Sequence, residues 1–268
     1  MGEPEPSLLL ERVERALKAA DQVYRGFGSR RPAELKKTGG DPVTEVDLAL
    51  DHVLKDSLLE NGEGWLSEET ADDSSRLECE LVWIVDPLDG TREFIDGLPE
   101  FCTSIAAVVG GEPIAGGVIN PAAGIEIVGA RGLGVRCNGA EVQAPSRPPV
   151  FDEVVASRSE VSRGEWSMVE AAGIVVRPMG SVAYKLARVA VGLDVSTWTP
   201  VPKHEWDVAG GAALLRAAGG DVVGLDGESL VFNQAHPWFS GVVAVPAGFE
   251  PHLATVRRLI DDQLRGSE

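Results

Sequence analysis

Apolar positions along the chain fall into two rhythms. Over residues 8–27 they return once per helical turn, at Leu9, Val13, Leu17 and Ala20, with Arg and Glu on the other faces; this predicts an amphipathic helix ended by Gly26 and Gly28. Leu48, Leu50, Val53, Leu54 and Leu58 repeat the pattern, behind Asp41-Pro42-Val43-Thr44-Glu45-Val46-Asp47. Thr44 is the expected N-cap of this second helix and Asp47 its capping-box partner. The basic, breaker-rich stretch 30–40 between them reads as a loop able to cover a site. Residues 81–85 form a short β-branched run, hence a buried strand, which Pro87 should end by removing a backbone donor. Trp65-Leu66-Ser67 is a shorter apolar stretch closing on the adjacent acids Glu68 and Glu69. Side chains of adjacent strand residues point to opposite faces, so at most one of these acids faces any site. The other acids nearby, Asp72, Asp73, Glu78 and Glu80, read as a solvated loop.

Residues 101–109, 112–120 and 125–129 alternate strand-like runs with Gly, Pro and Asn turns, which predicts an antiparallel meander. The glycines of 129–134 open no helix, so they read as hairpin turns and not as a dinucleotide loop. Polar, proline-rich 143–149 marks a candidate boundary between an N-terminal α+β lobe (1–145) and a C-terminal α/β lobe (146–268). In the second lobe, strands are expected at 154–156, 174–177 and 195–199. Helices are expected at 165–172, 184–191 and 208–218, the last closed by Gly219-Gly220.

The net charge of −18 over 268 residues argues against a nucleic-acid polymer or an anionic membrane as partner. A small anionic metabolite remains compatible if cations at the site neutralise it. Cys79, Cys102 and Cys137 are scattered and odd in number, which fits a reducing compartment and not a zinc cluster. No apolar run approaches the ~20 residues of a membrane span, and the acidic N-terminus does not read as a signal peptide. A cytoplasmic location is therefore expected. His52, His204, His236 and His252 stand apart without zinc spacing; a surface role is expected for His204.

Candidate chemistry concentrates in Asp86-Pro87-Leu88-Asp89-Gly90-Thr91. Two carboxylates three residues apart at a strand's end repel each other unless a cation lies between them. Their oxygens, with the Leu88 carbonyl, suit a hard ion such as Mg²⁺. Gly90 lets a ligand approach the backbone, and amides at a helix start near Thr91 could receive phosphate. The same six residues also read as a plain strand-to-helix turn, and Thr44 with Asp47 as a plain cap. Three further motifs change the balance: Asp41-Pro-Val-Thr44-x-x-Asp47, Ser67-Glu68-Glu69 and Trp206-Asp207-Val-Ala-Gly-Gly. In this order and spacing the four motifs resemble the inositol monophosphatase superfamily of Mg²⁺-dependent, lithium-sensitive phosphatases, over roughly residues 9–220.

The resemblance implies an α+β fold, a layered αβαβα sugar-phosphatase-like sandwich in two lobes with the site between them. It implies Glu68, Asp86, Leu88 through its carbonyl, Asp89 and Asp207 as ligands of about two or three Mg²⁺ ions. Gly90 and Thr91 would receive the phosphate. Asp47 and Thr91, with Glu68, would position and deprotonate an attacking water. Dimerisation is common in the resembled family, though no stretch here locates an interface. Arg92-Glu93-Phe94 after Asp-Gly-Thr, with Gly180-Ser181-x-x-x-Lys185 and Lys203-x-Glu205-Trp206-Asp207, is closer to bacterial adenosine 3′,5′-bisphosphate phosphatases. That subgroup expectation makes the chain a 3′(2′),5′-bisphosphate nucleotidase, with Ser157, Arg158, Gly180, Ser181, Lys185 and Lys203 as substrate contacts. Residues 97–100 are closer to the inositol type. Alternatives are an inositol-1-monophosphatase, a fructose 1,6-bisphosphate or histidinol phosphate phosphatase, and an inactive metal-binding homologue. A haloacid-dehalogenase-type site is disfavoured because two residues, not one, separate Asp86 and Asp89.

Overall fold

A computed structural model describes residues 4–28, 42–143 and 150–266, with the backbone of 34–36. The expected loop 30–40 therefore lies largely outside the described residues, as do Asp41 and most of the expected boundary at 143–149. Within that loop a short strand does form: β1 (Glu34–Lys36) pairs antiparallel with β2 (Pro42–Thr44).

The first half builds two layers. α1 (Pro6–Phe27) and α2 (Glu45–Leu58) lie together on one face of a seven-stranded sheet. Its strands run in chain order: β3 (Gly64–Ser67), β4 (Leu81–Asp89), β5 (Cys102–Val109), β6 (Glu112–Asn120), β7 (Ile125–Ala130), β8 (Gly134–Cys137) and β9 (Ala140–Glu141). β3 and β4 are parallel, and every later pair is antiparallel, as the meander reading expected. α3 (Thr91–Ile95) is a single turn after β4. Alternate residues of β4 serve different cores: Leu81, Trp83 and Val85 meet the helices α1 and α2, while Val82 and Ile84 face the opposite layer. Burial on both faces is why this strand reads as one continuous apolar run.

Pro87 does not end β4. The ladder with β5 holds through Asp86↔Ser104, skips, and resumes at Asp89↔Cys102. The missing proline donor is absorbed by this irregularity, and the Pro87 carbonyl accepts the Thr103 hydroxyl at 2.7 Å. The bend that results carries Asp86 and Asp89.

The second half supplies three more layers. Its elements are β10 (Glu153–Ser157), α4 (Arg158–Ser162), α5 (Ser167–Ala171), β11 (Val175–Met179), α6 (Val182–Ala190), β12 (Trp198–Thr199), β13 (Lys203–His204), α7 (Glu205–Ala217), β14 (Asp221–Val223), β15 (Trp238–Phe239), β16 (Val242–Val245) and α8 (Leu253–Gly266). α6 and α7 cover the free face of the large sheet and share one core with Val155, Val222, Val242 and Ala244 of the small sheets. Those small sheets are the parallel pair β10–β11 and the antiparallel set β12–β16–β14, joined where Val155 N–H donates to the Ser196 carbonyl at 3.0 Å. Trp166, just before α5, Val169 of α5, and Val256, Leu259 and Ile260 of α8 close the far side. The result is the αβαβα sandwich implied by the resemblance.

Three local expectations change. The helix expected at 165–172 is preceded by α4 and shortens to α5. The strand expected at 195–199 is only two residues long. The helix expected from Val208 begins at Glu205, because Asp207 turns back to accept His204 N–H at 3.0 Å. Asp72 lies in an exposed loop as expected, and it also pairs at 2.8 Å with Arg76, which is 1% exposed.

Candidate active site

The end of β3, the bend in β4 and the first turns of α2, α6 and α7 converge, and each brings a carboxylate or its holder. At α2 the capping box forms as expected. Thr44 Oγ1 accepts Val46 N–H at 3.1 Å, and Asp47 Oδ2 accepts Thr44 N–H at 2.8 Å and the Thr44 hydroxyl. The other oxygen, Asp47 Oδ1, accepts the Thr91 hydroxyl at 2.9 Å, with the Leu88 carbonyl a second acceptor 3.0 Å from Thr91 Oγ1. Burial pushes the Asp47 pKa up, against the hydrogen bonds from Thr44 and Thr91.

Asp86 is 1% exposed. Its Oδ1 accepts Leu88 N–H at 3.1 Å, while its buried Oδ2 finds no hydrogen-bond partner among the described residues. Asp89 Oδ2 accepts the Ser181 hydroxyl and Ala183 N–H, both at 2.7 Å, so the start of α6 grips it. Asp207 is the capping-box residue of α7. One oxygen from each of Asp86, Asp89 and Asp207 lies within 4.8 Å of the others. Burial first, and neighbouring acids second, raise the Asp86 pKa well above the usual carboxylate range. Burial also raises Asp89, against its bonds to Ser181 and Ala183. Asp207 is pushed up to about 8 by burial and then by Asp89. Glu68, in the bend after β3, stands outside this trio of oxygens, yet it is the foremost charge acting on Asp86.

This arrangement fits a hard divalent cation. Three crowded carboxylates, one of them buried, can stay ionised together only if positive charge lies among them, and Asp86 Oδ2, without a hydrogen-bond partner among the described residues, is an oxygen that can ligate a cation.

Of the residues expected to meet substrate, Gly90 and Ser181 adjoin Asp89. Gly90 has φ +94°, and a Cβ there would come 2.8 Å from the Glu100 carbonyl, so the turn tolerates no side chain. Ser181 caps α6 at φ +55°, receiving Tyr184 N–H at 3.0 Å on the oxygen that donates to Asp89. Ser157 Oγ lies 3.1 Å from Ser159 Oγ at the start of α4.

The three expected substrate cations differ. Lys185 is 3% exposed and its Nζ donates to the carbonyls of Ser181 (3.0 Å), Met179 (3.3 Å) and Gly180 (3.5 Å). Burial lowers its pKa to about 8. Arg158 is ion-paired with Glu100, whose Oε2 also accepts Gly180 N–H at 2.8 Å. Lys203, half-buried in β13, acts electrostatically on both Asp89 and Asp207. His204 is exposed and stacks on Trp206, ring centroids 4.3 Å apart. Two acids beside Gly180 escaped the sequence reading: Glu100, and Glu93, whose carboxyl carbon would lie 2.4 Å from a Cβ at Gly180. Glu93 was visible only as a motif letter after Thr91; its contact with residue 180 has no local signal.

The family model described as "Inositol monophosphatase family" matches residues 7–260. An inositol-1-monophosphatase of Mesorhizobium japonicum is 33% identical over 234 residues, 82% of this chain and 86% of that protein. Among solved structures, the Thermotoga maritima IMPase superposes with a TM-score of 0.80 at 24% identity, covering 97% of this chain and 99% of that one. CysQ from Bacteroides thetaiotaomicron, described as a bacterial member of the inositol monophosphatase family, gives a TM-score of 0.75 at 24% identity over 88% of this chain and 96% of its own.

Proposed function

This chain belongs to the inositol monophosphatase family and is a phosphomonoesterase; from that premise we propose that it is an Mg²⁺-dependent enzyme for monophosphates of small polyols, inositol 1-phosphate being the model substrate. The observation that carries the metal reading is the convergence of one oxygen each from Asp86, Asp89 and Asp207 within 4.8 Å; Asp86 also has a buried oxygen, Oδ2, without a hydrogen-bond partner among the described residues. Asp86, Asp89, Asp207, Glu68 and the Leu88 carbonyl would hold the ions. Bound Mg²⁺ would supply Lewis acidity, neutralising phosphate oxygens and lowering the pKa of water.

The chain's own residues do the remaining work. Thr91 donates its proton to Asp47 Oδ1, which leaves an Oγ1 lone pair to receive a proton from the attacking water. Asp47 takes up that proton through Thr91, and burial makes it a better base than an exposed aspartate. The water oxygen bonds to phosphorus and the ester P–O bond breaks; the leaving oxygen takes a proton from solvent to become the polyol hydroxyl, and Asp47 returns to solvent the proton it took up. Gly90 and Thr91 orient the phosphate. No side chain is phosphorylated.

The site's cation supply favours a monophosphate. A second phosphate needs positive charge of its own, but Lys185 is spent on three carbonyls and the charge of Arg158 is offset by Glu100. Glu93 and Glu100 beside Gly180 add negative charge where a polyol would offer hydroxyl donors. The bisphosphate nucleotidase reading rests on Lys203, whose charge reaches the acid cluster, and on the Arg92-Glu93-Phe94 motif. The discriminating experiment is kcat/KM for inositol 1-phosphate and adenosine 3′,5′-bisphosphate on wild type and Lys203→Ala. The expected result is a preference for the monophosphate that Lys203→Ala hardly changes. A preference of about tenfold for the bisphosphate, some 1.4 kcal/mol, lost in Lys203→Ala, would reverse the assignment.

A further inference from the structure

α2 carries two aspartates one turn apart on the same face, Asp47 and Asp51. Asp47 reaches the residues after β4. Asp51 reaches the end of the neighbouring strand, β3: its Oδ1 accepts the Ser67 hydroxyl at 2.5 Å and its Oδ2 accepts the Thr70 hydroxyl at 2.8 Å. Ser67 Oγ in turn accepts Glu69 N–H at 3.3 Å. One carboxylate thus holds both sides of the bend that contains Glu68 and Glu69. The bend needs holding. The ladder between β3 and β4 stops at Ser67↔Val85, so residues 68–70 have no strand pairing to fix them. Glu68 and Glu69 leave adjacent backbone positions, so which of them faces Asp86 depends on how the bend is held.

We propose that Asp51 is a positioning residue: by clamping Ser67 and Thr70 it selects Glu68, not Glu69, as the acid that completes the metal site. This rests on the metal reading above. An ionised carboxylate is acceptor-only, so both hydroxyls must donate to it and their orientation is set. Groups that orient a metal ligand from behind change metal affinity roughly 10- to 100-fold when removed.

The test is Mg²⁺ affinity by isothermal titration calorimetry on the full chain, independent of turnover. Asp51→Ala should raise the Mg²⁺ Kd by roughly 10- to 100-fold. Asp51→Asn, which can still pair with both hydroxyls, should stay within about threefold of wild type. In a Glu68→Gln background, Asp51→Ala should add less than about threefold, since the ligand it positions is already gone. If Asp51→Ala does not fold, Ser67→Ala and Thr70→Val replace it, each removing one arm of the clamp, and each should weaken Mg²⁺ binding severalfold. An unchanged Kd in Asp51→Ala, an Asn variant as impaired as the Ala variant, or full additivity with Glu68→Gln would overturn the proposal. Wild-type protein that binds no Mg²⁺ would instead overturn the underlying metal reading.

Discussion

Thr91 Oγ1 lies between two acceptors, Asp47 Oδ1 at 2.9 Å and the Leu88 carbonyl at 3.0 Å, and it has one proton to give. When Asp47 takes it, the hydroxyl keeps lone pairs able to accept from water, as the proposed proton relay requires. Thr91→Ala should therefore lower kcat by about 10²-fold, the lower end for proton-transfer catalysis, with KM moving far less. Thr91→Ser should recover most of the loss; an alanine variant altered only in KM would contradict the relay. Asp207 supports a prediction about pH. Its pKa is raised to about 8, and Asp86 is raised as well, both by burial first. A carboxylate raised in the fold binds its proton more tightly there than in the unfolded chain, so metal-free protein loses stability as pH climbs from the ordinary carboxylate range towards about 8. In EDTA the Tm should fall between pH 5 and pH 8, and saturating Mg²⁺ should flatten that slope. A metal-free Tm that rises over the same interval would show that these acids are not repelling one another.

Elements with a strong rhythm were legible in the sequence, and elements defined by contacts were not. α1 and α2 declared themselves through Val13, Leu17, Leu50 and Leu54, all buried as the 3.6-residue spacing required. β4 declared itself because Trp83, Ile84 and Val85 are buried on both faces. β12, β13 and β15 have two residues each, too few for any periodicity to show, and β12 is placed by its ladder to β16. Pro87 misled because a bulge can absorb a missing donor when a side chain such as Thr103 meets the carbonyl. Asp47, Asp86, Asp89 and Asp207 lie in compact motifs and could be read locally. Asp51, Glu93 and Glu100 act on residues that the fold alone brings near them. α1 is also fixed to the loop before β3. Arg12 donates to both Glu63 oxygens at 2.7 Å, and Trp83 Nε1 donates to Oε2 at 2.9 Å. Partial burial pushes the Glu63 pKa up, but the bonds from Arg12 and Trp83 prevail and leave it lowered. A lowered carboxylate stabilises the fold above its unfolded pKa and loses that contribution as pH falls through the folded value. Glu63→Gln should cost roughly 1–3 kcal/mol near pH 7 and much less in acid, where Glu63 itself is protonated. A loss of equal size at pH 7 and pH 3 in denaturant melts would assign the effect to packing.

At the scale of the whole molecule, the acid site is assembled across the sandwich. Asp86 and Asp89 come from the large sheet, Asp89 is gripped by α6, and Asp207 arrives on α7 from the layer between the sheets. A cation bound there would tie these layers together and should stabilise the native state by mass action, raising Tm as Mg²⁺ increases. Among the described residues no helix is long and apolar enough to cross a membrane. The proposed function requires that these carboxylates, through divalent metal, let water hydrolyse a phosphate monoester. Phosphate release from inositol 1-phosphate by metal-stripped protein, titrated with Mg²⁺ for wild type and Asp89→Asn side by side, tests it most directly. Wild type should be inactive without metal and show a saturable rise with Mg²⁺, while Asp89→Asn stays folded and nearly inactive throughout. Full turnover in excess EDTA, or an Asp89→Asn curve that overlays the wild type, would contradict it.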